Sequence, residues 1–526
     1  MLKNIAMKML KSIRFGYVAL VSMVLAMLTS CTSGSPVEQI PDDADFAAVL
    51  NLQKVADELG VKITETDVKL PEEFEAFEND IPEELNDALV ACHQAIEFNG
   101  IAVFGYIKTK EEPDFYVVAK LANEKVLDAA LTDELNLDKD SEEGFTIYSD
   151  SRGNDKVAIL VKDGLVWLTI GKKEEAALKS VNKVIKRADE KRLVENSGFN
   201  SVLSENNVCN VLVNTTPFVK MIDKYGRYAV GSEASVAMSS ILSQTKGYWL
   251  TYSADMSKTG FKFVTKFVQP NGDIFEPPYA SEISTDFLSY VPEDYMGVFA
   301  LGLNSQAIEE LVATMETLVE TNVRGNEREI AKTAIEYLKN IEGTMSVSFG
   351  TDDIQKLLFG EDIRELDLVA TIEMKSGKAE KTIDGIFEML SPNDPSGEII
   401  KKTGAGKLEF VIPDYGTIYV EGSDNMVVIS NEEITKGNSN GALRSAVSGN
   451  DVVAYLGVES FAELSDDACK CGANAKFAYD GGVGTFTFEV TGTEDSFISA
   501  GTQFVLGADE AYRTYRKNHR KSHYGY

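Results

Sequence analysis

Hydrophobic and polar positions follow the same order at two places in the chain. The stretches are IPDDADFAAVLNL at 40–52 and VPEDYMGVFALGL at 291–303, and in each an X-Pro step with acidic residues precedes an apolar run. The residue before proline is biased away from helix, and a short apolar run bounded by turn residues predicts a strand. Four of the thirteen positions are identical: Pro41 and Pro292, Asp43 and Asp294, Leu50 and Leu301, Leu52 and Leu303. Each stretch therefore predicts the start of a folded unit.

Similar periodicities follow each start. Apolar runs predict strands at 115–121 and 366–374, and each strand leads into a helix, one from Asn123 and one over KAEKTIDGIFEML. Hairpin turns are predicted at Asp163-Gly164 and Asp424-Asn425, because these residues tolerate the positive φ of a tight turn. Helical spacing predicts two apolar faces, one at Ile308, Leu311, Val312, Met315 and Val319, the other at Ile383, Ile386, Phe387 and Leu390.

These elements predict two duplicated units, 40–268 and 291–492, joined by a linker at 269–290 where Pro, Gly and acidic residues cluster. Each unit opens with strand, helix, strand, strand, helix, strand, which is a ferredoxin-like split βαβ pattern. Hairpins favour a mostly antiparallel sheet with helices on one face, so the expected fold class is α+β. Residues 493–526 are predicted to form a C-terminal helix and a basic tail.

Residues 1–30 are predicted to be a lipoprotein signal peptide. Their apolar run at 15–28 is shorter than the ~20 residues that a membrane-spanning helix needs. Leu28-Thr29-Ser30-Cys31 resembles the bacterial lipobox, which makes Cys31 the predicted lipidation site and residues 31–39 a tether. Two or more acyl chains, palmitate among them, would anchor the protein stably in a membrane. The alternative is an ordinary secretory signal followed by a chance cysteine.

The net charge of the chain restricts the classes of partner that it can bind. A formal net charge of −32 repels phosphate backbones and anionic headgroups, so nucleic acid is not expected as a partner. The charge could serve solubility alone, or it could attract cations or a basic partner.

The lipobox, the repeated start and the Asp-Gly hairpin are similar to those of domain of unknown function 4836, a lipoprotein family of Bacteroidetes bacteria. The resemblance covers most of the mature chain and implies a cell-envelope protein anchored in the outer membrane, with no catalytic residues to carry over. Surface-exported lipoproteins of that phylum tend to carry acidic residues directly after the anchoring cysteine. Here residues 32–37 intervene before Glu38, which favours the periplasmic face over the cell surface.

Several motifs have the residues of a chemical site but the wrong context. Gly437–Gly441 fits the G-x-S-x-G pattern, yet a nucleophile elbow needs a preceding buried strand and a later histidine base. Residues 403–407 lack the first glycine and the Ser or Thr of a phosphate loop, and 138–144 lack the glycine of a calcium loop. Both are interpreted as solvated loops, with weak calcium binding left open at 138–144.

The cysteines and histidines give no strong signal either. Cys92, Cys209, Cys469 and Cys471 are scattered, so a disulfide framework is not implied, and Cys469-Lys470-Cys471 could be a redox or metal pair. Cys92 and His93 are adjacent, and adjacent side chains of a helix diverge, so both are interpreted as packing or surface positions. We expect no catalytic, cofactor-binding or metal site.

The leading hypothesis is a lipid-anchored cell-envelope protein that binds or scaffolds another envelope component without catalysis. Its expected partners are the membrane, through the N-terminal acyl chains, and an envelope protein or glycan. The alternative is a glycan hydrolase that uses paired Asp or Glu side chains, a chemistry that needs no histidine. Two buried carboxyl groups ~5–10 Å apart in a cleft would favour this alternative.

Overall fold

The computed structural model of the chain shows an α+β protein with a large antiparallel sheet. The chain divides into two compact units: unit 1 runs to Phe275, and unit 2 comprises Thr259–Lys262 and everything from Glu276. The structure describes residues 35–64, 66–69, 71, 90–107, 114–134, 137–149, 157–170, 174–217, 219–220, 246–351, 366–394, 396–413, 416–437, 441–461, 471–493, 496–497, 499–501 and 513.

The first part of the chain alternates short helices with strands. Its strands are β1 (Phe46–Leu50), β2 (Lys62–Ile63), β3 (Val68–Lys69), β4 (Ile101–Tyr106), β5 (Asp114–Lys120), β6 (Asp138–Glu142), β7 (Phe145–Ser149), β8 (Val157–Lys162), β9 (Leu165–Ile170), β10 (Cys209–Asn214), β11 (Trp249–Ser257) and β12 (Gly260–Val268). The α-helices whose bounds lie within the described residues are α1 (Leu52–Glu58), α2 (Glu124–Ala129), α3 (Glu174–Glu190) and α4 (Ser197–Leu203). Residues 90–95 and 215–217 are helical as well. Single turns of 3-10 helix at Pro36–Gln39 and Leu193–Glu195 and a π turn at Ala130–Glu134 complete it.

The second part has longer helices near its start. Its strands are β13 (Gly297–Leu303), β14 (Ile341–Gly350), β15 (Asp367–Met374), β16 (Ile400–Gly404), β17 (Lys407–Ile412), β18 (Gly416–Ser423), β19 (Met426–Ser430), β20 (Val452–Val458), β21 (Gly472–Asp480) and β22 (Val483–Thr491). Its α-helices are α5 (Ser305–Asn322), α6 (Asn326–Leu338), α7 (Ala379–Leu390) and α8 (Gly441–Val447). Turns of 3-10 helix lie at Asp286–Tyr290 and Ser391–Asn393.

Strand pairing within each unit is antiparallel and follows one order. In unit 1 the neighbours run β11, β10, β1, β4, β5, β9, β8, β7, β6. In unit 2 they run β21, β20, β13, β14, β15, β19, β18, β17, β16, and β22 pairs with β21. The predicted strands at 115–121 and 366–374 are found as β5 and β15, and the predicted helix over KAEKTIDGIFEML is found as α7.

The predicted ferredoxin-like opening is not what the pairing shows. A split βαβ pattern needs a crossover helix that returns the chain to a parallel strand. In unit 2 two consecutive helices, α5 and α6, pack against each other between β13 and β14. Because such a helix pair brings the chain back to the end of the sheet where β13 finished, β14 runs antiparallel beside β13.

Helices cover both faces of each sheet, which corrects the expectation of helices on one face. Successive side chains of a strand point to opposite faces. In unit 1, Trp167 of β9 packs with residues of α3, whereas the next residue, Leu168, packs with Leu127 of α2. In unit 2, one face of the sheet packs on α8 and the other on α5, α6 and α7.

The units differ where α3 lies. Helix α3 buries Ala177, Leu178 and Val181 against a sheet face that carries Phe145, Leu160 and Trp167. In unit 2, residues 431–437 after β19 contain no helix. The strands of unit 2 that correspond to β7 and β8 are β17 and β18. On the sheet face that corresponds to the one under α3, these strands carry the cross-strand pair Glu409 and Tyr419. A polar sheet face needs no helix to cover it.

Two turn predictions are confirmed and one boundary shifts. The hairpins turn at Asp163-Gly164 and at Asp424, where φ is +50°, +71° and +52°. The expected linker at 269–290 is partly core, because the 3-10 turn Asp286–Tyr290 buries Phe287 and Leu288 completely in unit 2. The packed part of unit 2 therefore begins before residue 291.

Candidate functional site

The candidate site is an apolar pocket of about 380 Å³ in unit 2. It lies between helices α6 and α7 on one side and strands β15, β17, β18 and β19 on the other. This volume falls in the range of ~300–1,000 Å³ that is typical of small-molecule sites. We call it the apolar pocket; its lining residues are Ala334, Tyr337, Leu338, Ile341, Ile372, Met374, Thr382, Ile383, Ile386, Met389, Leu408, Phe410, Val420, Val427 and Ile429.

The floor of the apolar pocket is buried and its mouth is open to solvent. Leu408 and Val427 on the strands and Ile383 on α7 are at most 5% exposed. Ala334 on α6 is exposed, and Met389 near the end of α7 is half-buried. The mouth therefore lies between the two helices, and the sheet closes the opposite side.

The sequence of α7 explains why it roofs the pocket. Thr382, Ile383 and Ile386 recur at helical spacing and point one face of the helix at the sheet. Gly422 on β18 lets the start of α7 come close, because a Cβ there would lie 2.7 Å from the Ala379 carbonyl oxygen and 2.9 Å from Ile383. A side chain at Gly422 would therefore push α7 away from the sheet.

An ion pair holds α7 to the β16–β17 hairpin. The Asp384 carboxylate accepts hydrogen bonds from Lys402 Nζ at 2.9 Å and from the backbone N–H of Gly406 at 2.9 Å. The hydrogen bond from Lys402, followed by that from Gly406, lowers the pKa of Asp384 below its ordinary value of 3.8.

One polar group beside the pocket is unsatisfied. The Thr382 hydroxyl is buried, and among the residues that the structure describes it has no hydrogen-bond partner. An unpaired buried hydroxyl costs about 1–3 kcal/mol of folding free energy. Of the described residues that line the pocket, none carries a charged side chain.

Two other pockets have charged and polar side chains in their lining. One of about 340 Å³ in unit 2 shares Ile341 with the apolar pocket and is lined by Lys339 and Lys375 among others. The other, of about 540 Å³ in unit 1, is lined by several asparagines, of which Asn51 and Asn206 hydrogen-bond each other at 3.1 Å. Both differ from the apolar pocket in having charged side chains among their lining residues.

The glycan-hydrolase alternative depends on how carboxyl groups are arranged. Partial desolvation of its carboxyl raises the pKa of Glu432, and the charges of Asp367 and Asp294 raise it further. Glu432 and Asp294 are exposed, so this group is a surface cluster and not a carboxyl pair inside a cleft. Throughout the described ranges, no group of three or more His, Cys, Asp or Glu residues could hold a metal ion.

The cysteines and the histidine take separate places. Cys92 is buried in unit 1, and the ring of His93 lies edge-on to Phe98 with 5.4 Å between ring centroids. Cys471 is disulfide-bonded, whereas Cys92 and Cys209 are not. The sequence does not imply a disulfide framework, yet Cys471 forms a disulfide, which removes its thiol from metal binding. Cys469 lies outside the described residues.

The two segments that the sequence analysis interprets as solvated loops belong to β-hairpins. Residues 403–407 form the turn between β16 and β17, where Gly406 has φ of +63°, and Lys407 Nζ pairs with Glu421 at 2.8 Å. Residues 138–144 form the exposed strand β6 and its turn, because the positive φ of Glu143 and Gly144 closes a hairpin with β7. A phosphate loop or a calcium loop would need a different backbone at each place.

The remaining predicted site residues lie outside the described residues. These are Cys31 with the signal peptide 1–30, and residues 438–440 of the G-x-S-x-G pattern. Most of the predicted C-terminal segment 493–526 also lies there. Within the ranges that the structure describes, no helix is both long enough and apolar enough to cross a membrane.

Comparison with known proteins assigns no family. No family model matches the chain, and no curated protein matches it. A solved structure described as crystal form IV of TP0453 aligns with 45% of this chain and 81% of its own, at 9% identity and a TM-score of 0.27. At that identity and TM-score the likeness carries no argument about fold or function.

Proposed function

We propose that the protein is a lipid-anchored component of the bacterial cell envelope that binds an apolar ligand in unit 2 and does not transform it. One observation carries the proposal: the apolar pocket has a buried floor, an open mouth and no charged lining side chain among the described residues. An apolar cavity of ~150 Å³ in another protein stays dry and takes up benzene, so a larger one can take up a larger apolar molecule.

The chemistry of the lining favours binding over catalysis. Hydrolysis of a glycan needs two carboxyl groups beside the bond that breaks, and none lines this pocket among the residues described. Aliphatic side chains supply affinity through the apolar area that the ligand buries.

Anchoring and family are part of the proposal and rest on sequence. The lipobox at Cys31 supports attachment to a membrane through acyl chains, and the short stretch before Glu38 supports the periplasmic face of the outer membrane. The repeated start supports membership of the lipoprotein family domain of unknown function 4836. An envelope protein or glycan partner is compatible with these features.

We also infer that the two units arose by duplication. The support is the shared order of strand pairing, in which β1 occupies the position in unit 1 that β13 occupies in unit 2. Both positions fall in the stretches with identical Pro, Asp and Leu residues. The helix α3 and the pair α5–α6 are then differences that arose after duplication.

Binding can be tested with N-phenyl-1-naphthylamine, an uncharged dye that fluoresces in apolar surroundings, added to the full chain. We expect dye emission to rise with the unmodified protein and to fall strongly for Ala334→Trp, which places an indole ring at the mouth. Ala334 is exposed, so this substitution leaves the core unchanged.

The matched control is Thr333→Trp, which puts the same ring on the next position of α6. Adjacent positions of a helix point in different directions, so this ring lies away from the mouth. Equal emission from both variants would refute the pocket as the binding site. If a natural ligand is recovered from the protein as a chemically altered product, the proposal that the protein binds its ligand without transforming it is wrong.

A further inference from the structure

The pocket of about 540 Å³ in unit 1 lies where the chain enters the fold. Pro36 and Ile40 are buried, so the chain is fixed in unit 1 from this turn onward. Ser35 itself lines the pocket. We call this cavity the asparagine pocket, because five of its lining residues are asparagines: Asn51, Asn99, Asn200, Asn206 and Asn207. A short tether before Ser35 therefore also determines where the asparagine pocket lies.

The tether from the proposed lipidation site is short. Ser35 is four residues after Cys31, and an extended chain spans at most ~3.3–3.6 Å per residue. The rim of the asparagine pocket at Ser35 is therefore at most ~14 Å from the acylated cysteine. Acyl chains hold such a cysteine at the surface of the bilayer. The asparagine pocket thus lies beside the lipid headgroups of the membrane in which the protein is anchored.

The lining residues restrict which headgroup can bind. Glu38 and Glu205 supply carboxylates, and no lysine or arginine is found among the described residues that line the asparagine pocket. A phosphate group inside it would lack a cationic partner and would be repelled by the carboxylates. An ammonium group has three donors and no acceptor, which matches the oxygens of carboxylates and carboxamides.

The hydrogen bonds within the asparagine pocket leave acceptors within reach. Asn207 Nδ2 donates to the Glu205 carboxylate and to Asn210 Oδ1, each at 2.9 Å. Asn51 Nδ2 donates to Asn206 Oδ1 at 3.1 Å. A carboxylate has about four lone-pair sites, and the bond from Asn207 uses one of those on Glu205. Because Glu205 is exposed, a ligand can reach the others.

We infer that the asparagine pocket binds the ammonium group of a lipid headgroup, with Glu205 as the counter-ion and the phosphate of the lipid outside the pocket. This inference rests on the lipid anchor of the proposed function, and it assigns a second site, in unit 1. The acyl chains of the bound lipid stay in the membrane, so the site needs no apolar groove. The contact would hold unit 1 against the membrane surface.

The test is carbodiimide crosslinking of the full, acylated chain in vesicles of phosphatidylethanolamine and phosphatidylcholine. A carbodiimide joins a carboxyl group to a primary amine that touches it, and mass spectrometry of peptides locates the amide. We expect Glu205 to carry ethanolamine lipid at least ~10 times as often as Glu124, which is exposed on α2. This ratio is the effect of one charge-assisted hydrogen bond. Vesicles of phosphatidylcholine alone give the background, because choline has no N–H.

Two variants of α4 test whether the asparagine pocket is the site. Asn200→Trp puts an indole ring into the lining and should lower the labelling of Glu205 to that of Glu124. Ser201→Trp puts the same ring on the next helical position, outside the lining, and should leave the labelling unchanged. Both positions are exposed, so neither variant disturbs the core. The inference is wrong if the two variants are labelled equally, or if Glu205 never exceeds Glu124.

Two further measurements separate the anchor from the site. Glycerophosphoethanolamine, the same headgroup without acyl chains, should label Glu205 weakly at the same concentration, because the membrane raises the local concentration of headgroups. Equal labelling by this soluble compound would overturn the lipid as the source. Cys31→Ala should lose the labelling because the protein leaves the vesicles. If the unmodified chain attaches to vesicles without labelling at Glu205, the anchor stands and the site fails; if it does not attach, the proposed anchoring fails as well.

Discussion

Two buried threonines of unit 2 differ in whether the side-chain hydroxyl has a hydrogen-bond partner. Thr344 Oγ1 accepts a hydrogen bond from the backbone N–H of Ser284 at 2.8 Å, whereas Thr382 Oγ1 has no partner among the described residues. Both residues are at most 6% exposed. The same substitution should therefore have opposite effects at the two positions.

Thr382→Val should raise the free energy of unfolding of unit 2 by about 1 kcal/mol, because it removes an unsatisfied buried hydroxyl. Thr344→Val should lower it by about 1–3 kcal/mol, because the amide of Ser284 loses its acceptor. Hydrogen exchange of the amides in β20 measures both changes. A destabilised Thr382→Val variant would mean that its hydroxyl has a partner after all.

At the scale of elements, the contact between α7 and β18 depends on a glycine. Gly422→Ala places a methyl group against the Ala379 backbone, so α7 must shift. We expect unit 2 to lose about 1–3 kcal/mol of unfolding free energy, which is typical of overpacking, again measured by exchange in β20. Gly441→Ala is the control, because a Cβ there meets nothing within 4 Å. Similar losses in the two variants would contradict the close approach.

The ion pair of α7 should make the stability of unit 2 depend on pH. The pKa of Asp384 is lowered in the folded protein, so its stabilising contribution is complete above the ordinary value of 3.8. That contribution is lost as the pH falls through the lower, folded pKa.

Asp384→Asn should therefore reduce stability near neutral pH by under about 1 kcal/mol, since the pair is partly exposed, and the difference should shrink in acid. Glu388→Gln, an exposed change on the same helix, is the control. Exchange of α7 amides over a pH series measures the difference. If the difference in unfolding free energy between the unmodified protein and Asp384→Asn is the same at every pH, the effect of Asp384 comes from packing and not from its charge.

The elements also show what the sequence could predict. Apolar and polar residues alternate strictly in β15, and Asp163-Gly164 has the residues that a tight turn requires. The local sequence is therefore enough to predict this strand and this turn. Helix α6 is rich in charge and has a weak apolar pattern, and without it α5 resembles a single crossover helix. A single crossover helix between β13 and β14 is what a ferredoxin-like fold would have.

The candidate site could not be predicted for a different reason. The apolar pocket is a volume left unfilled between helices and strands that are far apart in the chain, and no local pattern encodes it. Its only polar residue with an unsatisfied hydroxyl, among those described, is Thr382, which in sequence looks like any helical threonine. The predicted apolar face of α7 gave a partial signal, because Ile383 and Ile386 of that face line the pocket.

For the whole molecule, the first prediction concerns attachment. Cys31→Ala removes the thiol that would carry the acyl chains, so the protein should move from the membrane fraction to the soluble fraction. Fractionation followed by a carbonate wash measures this change. Cys209→Ala is the control, since that thiol lies in unit 1 and is not disulfide-bonded. A Cys31→Ala variant that stays with the membrane after the wash would refute the lipoprotein assignment.

Both tryptophans of the chain, Trp167 and Trp249, lie in the core of unit 1. Their emission therefore reports the unfolding of unit 1, and unit 2 has no tryptophan of its own. Denaturation curves followed by tryptophan emission should coincide for the unmodified protein, Thr382→Val and Gly422→Ala, even where exchange in β20 differs. Because both indole rings lie in one half of the chain, tryptophan emission is a spectroscopic readout of unit 1 alone, without any added label.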